Sequence, residues 1–140
     1  MSKPFSESAE QNKYAISGII RENFVNQRHV LEIASGTGQH VVYFAKLLPH
    51  LVWQPTELPE NVMGVKAWVD EASLFNVRRP LVLDVDEDTW PVRQVDAVFS
   101  ANSVHMMSMP TVMRMFQGIG RVLETNGLFL LYGPFNYGGR

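Results

Sequence analysis

Glu32, Glu57 and Asp84 each fall at or just after the carboxyl end of an apolar, extended-looking run in this 140-residue chain. In open α/β sheets that edge is where ligands bind, and a carboxylate there can accept hydrogen bonds from hydroxyl or amino groups. Glu32 leads directly into Ile33-Ala34-Ser35-Gly36-Thr37-Gly38, a loop of small residues. Glycine adds no Cβ and tolerates unusual backbone angles, so such a loop brings backbone N–H groups close to a ligand. Glu57 follows Glu32 by 25 residues, close to the roughly 20-residue offset at which an acid can hold a ribose diol. Asp84 is placed to accept from an adenine amino group or to cap the turn after it. His105, with an unperturbed pKa near 6.5, suits a general base or a substrate hydrogen bond, the alternative being a structural histidine in a loop. His29, His40 and His50 lack metal-ligand spacing and read as surface or structural residues, so no metal site is expected.

These residues need a frame that brings strand ends together. Apolar extended runs occur at Val30–Ala34, Leu51–Gln54, Leu81–Val85, Ala97–Ser100 and Leu128–Tyr132. Helical spacing of apolar residues marks Ser8–Phe24, with Ser6 or Ser8 as N-cap, then Gln39–Leu48, Glu60–Phe75 and Pro110–Glu124. Strands alternating with helices predict βαβ crossovers and a doubly wound, mostly parallel, Rossmann-like α/β sheet of about five strands with helices on both faces. Asp96 precedes an apolar run and reads as structural, and Asp86, Glu87 and Asp88 read as a solvated turn. The methionines Met106, Met107, Met109, Met113 and Met115 read as core more readily than as an adaptable pocket.

Composition bounds the answer. With 46% hydrophobic and 19% charged residues, one domain over residues 1–140 with a single core is expected. A net charge of −2 carries no electrostatic footprint for a nucleic acid. Zero cysteines exclude disulfides, thiol nucleophiles and cysteine zinc sites. The polar start MSKPFSESAEQNK does not resemble a signal peptide, and no apolar run approaches the roughly 18 residues of a membrane span. A cytoplasmic location without a membrane partner is the expectation.

The glycine loop fails the nicotinamide dinucleotide spacing G-x-G-x-x-G: counted from Gly36 the third place falls on Val41, and from Ala34 on Gln39. Instead VLEIASGTGQH resembles the first motif of class I S-adenosylmethionine-dependent methyltransferases, an acid followed by Gly-x-Gly-x-Gly, with Ala34 in place of the first glycine. The likeness continues in order through WQPTE (Trp53–Glu57), LDVDEDTWP (Leu83–Pro91), VDAVFSANSVHMM (Val95–Met107) and RVLETNGLFLLYGPF (Arg121–Phe135). Within that superfamily FSESAEQNK, WQPTE, SANSVHM and LYGPF are similar to a small family of uncharacterised methyltransferase-like proteins, whose usual N-terminal pattern has arginine where Gln11 stands.

The resemblance implies S-adenosylmethionine as cofactor, with Ala34, Ser35, Gly36, Thr37 and Gly38 passing under its methionine part and Glu57 holding the ribose hydroxyls. Asp84 and Val85 would border the adenine, Glu32 would orient the loop or meet the amino group through water, and Ala101 and Asn102 would lie near the sulfonium. The methyl acceptor, a small molecule or a protein, is not identified. The Asn/Asp-Pro-Pro-aromatic motif of enzymes that methylate nucleic-acid amino groups is absent at Asn102–His105. Superfamily members continue past the fifth strand with a helix and two more strands, so the expectation is a sheet lacking those last two, its fifth strand an exposed edge open to a second copy. A catalytically silent cofactor-binding or partner-binding fragment is the rival reading, and a nicotinamide-dependent oxidoreductase the remote one.

Overall fold

A computed structural model describes residues 3–133, the side chain of His105 excepted. Residues 134–140, including Phe135 of the last motif, lie outside the described part, as does any reading of the His105 imidazole. The elements run α1 (Glu7–Asn23), β1 (His29–Ile33), α2 (Gln39–Leu47), β2 (Val52–Glu57), α3 (Val62–Ala72), β3 (Leu81–Val82), β4 (Val95–Ala101), a 3-10 turn (Val104–Met106), α4 (Met109–Val122) and β5 (Leu123–Tyr132). The strands form one parallel sheet in the order β3-β2-β1-β4-β5. The chain therefore winds outward from β1 to β3, then returns to the other side of β1 for β4 and β5. The order reverses between β1 and β4, which opens a crevice beyond their carboxyl ends.

Two apolar layers hold the sheet. On one face Ile16 and Ile20 of α1, Phe24 at its C-cap, and Val41 and Phe44 of α2 bury against Val30, Trp53 and Phe99. On the other, Met115, Ile119 and Val122 of α4 cover Leu31, Val98 and Val95. The alternation of Val30 with Leu31 and of Phe99 with Val98 is the period-2 signature of strands buried on both faces. Trp90 fits against α4 because Gly118 has no side chain; a Cβ there would fall 2.0 Å from the indole. Asp96 accepts from the backbone N–H groups of Arg28 and His29 and fixes the entry to β1, as its structural reading anticipated.

Several boundaries differ from the sequence expectation, α3 being shorter at Val62–Ala72 and β4 longer at Val95–Ala101, and three of the differences have a local reason. β3 stops at Val82 because the Asp84 carboxylate accepts from the Asp86 N–H (2.9 Å) and its carbonyl from the Glu87 N–H (3.0 Å), turning the chain. β2 runs on through Pro55 to Glu57; the proline lies between the Trp53–Val77 bridge and the pairing of Thr56 with Leu81, where the Gln54 side-chain amide donates to the Arg79 carbonyl (2.9 Å) and to the Pro55 carbonyl (3.0 Å). α4 ends at Val122, and Leu123 already pairs with Val95. Glu124–Gly127 then bulge out, with Asn126 at φ 68, before pairing resumes at Leu128. No helix of the described residues is long and apolar enough to cross a membrane.

Candidate functional site

The loop after β1 is built from positive backbone angles: Ala34 at φ 60, Gly36 at φ 66 and Gly38 at φ 100. Ala34 carries a Cβ into the left-handed region, at a cost of about 1 kcal/mol relative to glycine. Stitching to β2 offsets this strain. Ser35 N–H donates to the Thr56 carbonyl (2.8 Å), Thr56 N–H to Ser35 Oγ (3.1 Å), and Thr56 Oγ1 to the Glu32 carbonyl (2.7 Å). Gly38 closes the turn through its N–H to the Ser35 carbonyl (3.2 Å) and starts α2. A Cβ on Gly38 would fall 2.9 Å from Trp68 Cβ and 3.2 Å from Val65 Cα on α3. Gly38→Ala thus combines backbone strain with overpacking, and it is expected to destabilise the fold by about 2–4 kcal/mol in urea unfolding. A loss under about 1 kcal/mol would show that α3 yields at this contact.

Glu57 is the loop's anchor. Its Oε2 accepts from the Gly36 N–H (2.8 Å) and its Oε1 from the Leu58 N–H (2.7 Å), while each oxygen keeps a further lone pair. Glu32 lies deeper, 2% exposed, and its Oε1 has no hydrogen-bond partner. Burial pushes its pKa up to about 7; the Ser35 hydroxyl opposes the shift and the charge of Glu57 adds to it. Both carboxylates line a cleft of about 800 Å³ together with Ala34, Ser35, Gly36 and Thr37.

The end of β4 supplies another wall. Ala101 and Asn102 line the same cleft. Asn102, at φ 58, donates its N–H to the Tyr132 carbonyl (2.7 Å), so the end of β5 sets its position. Ser100 Oγ donates to the Ile33 carbonyl (2.7 Å) and pairs with Ser103 Oγ (2.7 Å), locking the ends of β1 and β4 together. The backbone of His105 lies in the 3-10 turn between Val104 and Met106, and Met106 and Met107 border the cleft. Asp84 and Val85 are not part of its lining: the Asp84 carboxylate caps the turn to Asp86, and Val85 is buried beside Leu83 and Trp90. Of the expected site residues, then, Ala34, Ser35, Gly36, Thr37, Glu32, Glu57, Ala101 and Asn102 meet in one cavity, while Gly38, packed against α3, and the Asp84–Val85 pair lie outside its lining.

The sequence reading missed the N-terminal wall. Lys3, Pro4, Ser6, Ser8 and Ala9 all line the cleft. His40 does too; buried, it reaches with Nε2 the Ala9 carbonyl (3.1 Å) and Asn12 Oδ1 (2.8 Å). Two acceptors at one ring nitrogen assign the proton to Nε2, and burial pushes the imidazole pKa down, so the ring is a neutral structural donor. Its place in the glycine-loop motif was the available signal. Among the described residues no group of three or more histidine, aspartate or glutamate side chains is arranged to hold a metal ion.

Comparison with known proteins gives the family and the fold. A family model described as "Protein of unknown function (DUF938)" matches residues 3–140. Among solved structures, the chain is similar to the S-adenosylmethionine-dependent methyltransferase SibL in its apo form, with TM-score 0.81, 19% identity, and coverage of 92% of this chain and 37% of that one. It is similar to PigF with SAH at TM-score 0.70 and 20% identity, covering 81% and 34%. It also matches PKMT2 from Rickettsia typhi in complex with AdoHcy at TM-score 0.62 and 20% identity, covering 74% and 20%. The chain spans between a fifth and two fifths of the length of these three proteins. The shared feature is the fold, a five-stranded α/β Rossmann-like sheet of the methyltransferase type.

Proposed function

Because the chain belongs to the DUF938 family, whose function is not established, we propose from its cleft that it binds S-adenosylmethionine and belongs to a methyltransferase acting on a small-molecule or protein acceptor. The observation that carries this reading is the joint placement of Glu57, bound to the Gly36 N–H, and the partnerless Glu32 Oε1 in one cleft beyond the switch point of the sheet. Both features fit the proposed ligand. The free lone pairs of Glu57 suit two ribose hydroxyls, and a buried carboxylate with an unfilled oxygen suits an ammonium group or its water. Nothing stands within 4 Å of where a Cβ on Gly36 would sit, which leaves room for a ligand to lie on the loop backbone.

When bound, S-adenosylmethionine supplies a methyl group already activated on a sulfonium. The chain's residues would then have little acid or base chemistry to perform. Ala34–Gly38 and Glu57 hold and orient, and Ala101 and Asn102 shape the wall where the acceptor approaches. Met107 and Pro4 contribute apolar surface to the cleft, while Met106, read from the sequence as core, is 81% exposed at its border. Asp84 lies outside the cleft lining with Oδ1 on the Asp86 N–H, which leaves Oδ2 for the proposed adenine contact, and His105 is the proposed proton acceptor. The rival of a silent binding fragment shares the first half of this reading.

Isothermal titration with S-adenosylhomocysteine tests it. Saturable one-to-one binding in the micromolar range, with no heat from NAD, is expected. Absence of binding, or competition by NAD, would remove the reading. Binding without transfer of labelled methyl to candidate acceptors would favour the silent fragment.

A further inference from the structure

Gln39 is 3% exposed, and its amide uses its full bonding capacity. Its Oε1 accepts from the Ser6 N–H (2.6 Å) and from Thr37 Oγ1 (2.9 Å). Its Nε2 donates to the Ser6 carbonyl (3.3 Å) and to Glu10 Oε1 (3.1 Å). One side chain thus ties the glycine loop, the segment ahead of α1 and α1 itself, across 33 residues of sequence. The outer part of that segment is fastened to α3 instead. Lys3 pairs with Glu71 and stands 3.9 Å over the Trp68 ring, the Trp68 indole N–H donates to the Pro4 carbonyl (2.6 Å), and Gly64 makes room for Pro4. Lys3 to Ala9 therefore cross from α3 to α2 as a strap and form one wall of the cleft.

We propose that Gln39 is a positioning residue that couples this strap to the glycine loop, so that the strap closes over a ligand when the loop engages one. The ligand's identity rests on the S-adenosylmethionine reading; the coupling does not. A strap fixed at both ends, with one attachment on the ligand-binding loop itself, cannot move independently of that loop. Buried amide contacts of this kind are worth keeping only while all partners stay in place, because an unfilled donor or acceptor carries a desolvation cost. Coupling is also reciprocal: the factor by which an ordered loop favours the ordered strap is the factor by which an ordered strap favours the ordered loop.

Hydrogen exchange of the full chain, read by mass spectrometry on peptides covering residues 3–12 and 34–39, tests this. Without ligand, Gln39→Leu is expected to raise exchange in the 3–12 peptide about tenfold while the core strands stay protected. Trp68→Phe loosens the strap from the far side, keeps the buried amide, and is expected to raise exchange in 34–39 as well. It serves as the second variant should Gln39→Leu not fold. Unchanged strap exchange in Gln39→Leu, or an unchanged loop in Trp68→Phe, overturns the coupling. S-adenosylhomocysteine is expected to slow both peptides in the wild type and only 34–39 in Gln39→Leu. Protection of 34–39 alone in the wild type overturns the closing strap. Protection of neither overturns the cofactor reading instead, and the ligand-free variants then decide the coupling by themselves.

Discussion

Replacing Glu57 with alanine is expected to weaken S-adenosylhomocysteine binding by about 100-fold, the largest effect of any single side chain in the cleft. Two losses combine. The carboxylate contacts to ribose hydroxyls are charge-assisted and contribute about 1.5–3 kcal/mol each. The Gly36 N–H also loses the acceptor that holds the loop in its ligand-ready shape. At about 1.4 kcal/mol per factor of ten, the lower end of that range for two contacts, about 3 kcal/mol, already corresponds to the expected change. Glu57→Gln is not a mild control, because an amide can offer an oxygen to only one of the Gly36 and Leu58 N–H groups and turns its NH2 toward the other. Titration calorimetry of Glu57→Ala beside a thermal melt separates ligand loss from loop loss. An unchanged dissociation constant would end the ribose assignment.

The second large effect is a pH dependence centred on Glu32. Its pKa rises from 4.5 to about 7 on folding, chiefly by burial. Between those values the folded state holds a proton that the unfolded state has released, so stability falls as pH rises through the window. Below pH 4.5 both states are protonated and the effect vanishes; above pH 7 it is complete. A shift of this size corresponds to about 3 kcal/mol. Glu32→Gln removes the titration, so the stability difference between variant and wild type is expected to grow by about 3 kcal/mol in the variant's favour from pH 4.5 to pH 8. Urea midpoints across that range measure it, and parallel curves for the two proteins would contradict the assignment. On the cofactor reading, an ammonium beside Glu32 also draws its proton off, so wild-type affinity for S-adenosylhomocysteine rises from pH 6 to pH 8 and that of Glu32→Gln does not.

Much of this protein was legible in its sequence, because the signals involved are local. Alternating apolar runs and helical spacings define a βαβ chain, small residues after β1 define a loop of positive φ, and an acid at a strand end is placed by the strand itself. The parallel sheet follows, since short connections through helices leave few ways to cover both faces. Glu32, the loop from Ala34 to Thr37 and Glu57 meet in one cleft because strands β1 and β2 pair in register, Glu32 beside Pro55. What only the tertiary structure decided are matters of long-range contact and burial. The extension of β2 past Pro55 depends on where Val77 and Leu81 pair with it, and the bulge at Glu124–Gly127 on where Val95 and Ala97 meet β5. Asp84 turned to its own backbone, a choice that residue type alone leaves open. The strap reaches Gln39 across 33 residues by hydrogen bonds that obey no periodicity, and the proton on Glu32 follows from desolvation, which exists only once the chain has closed around it.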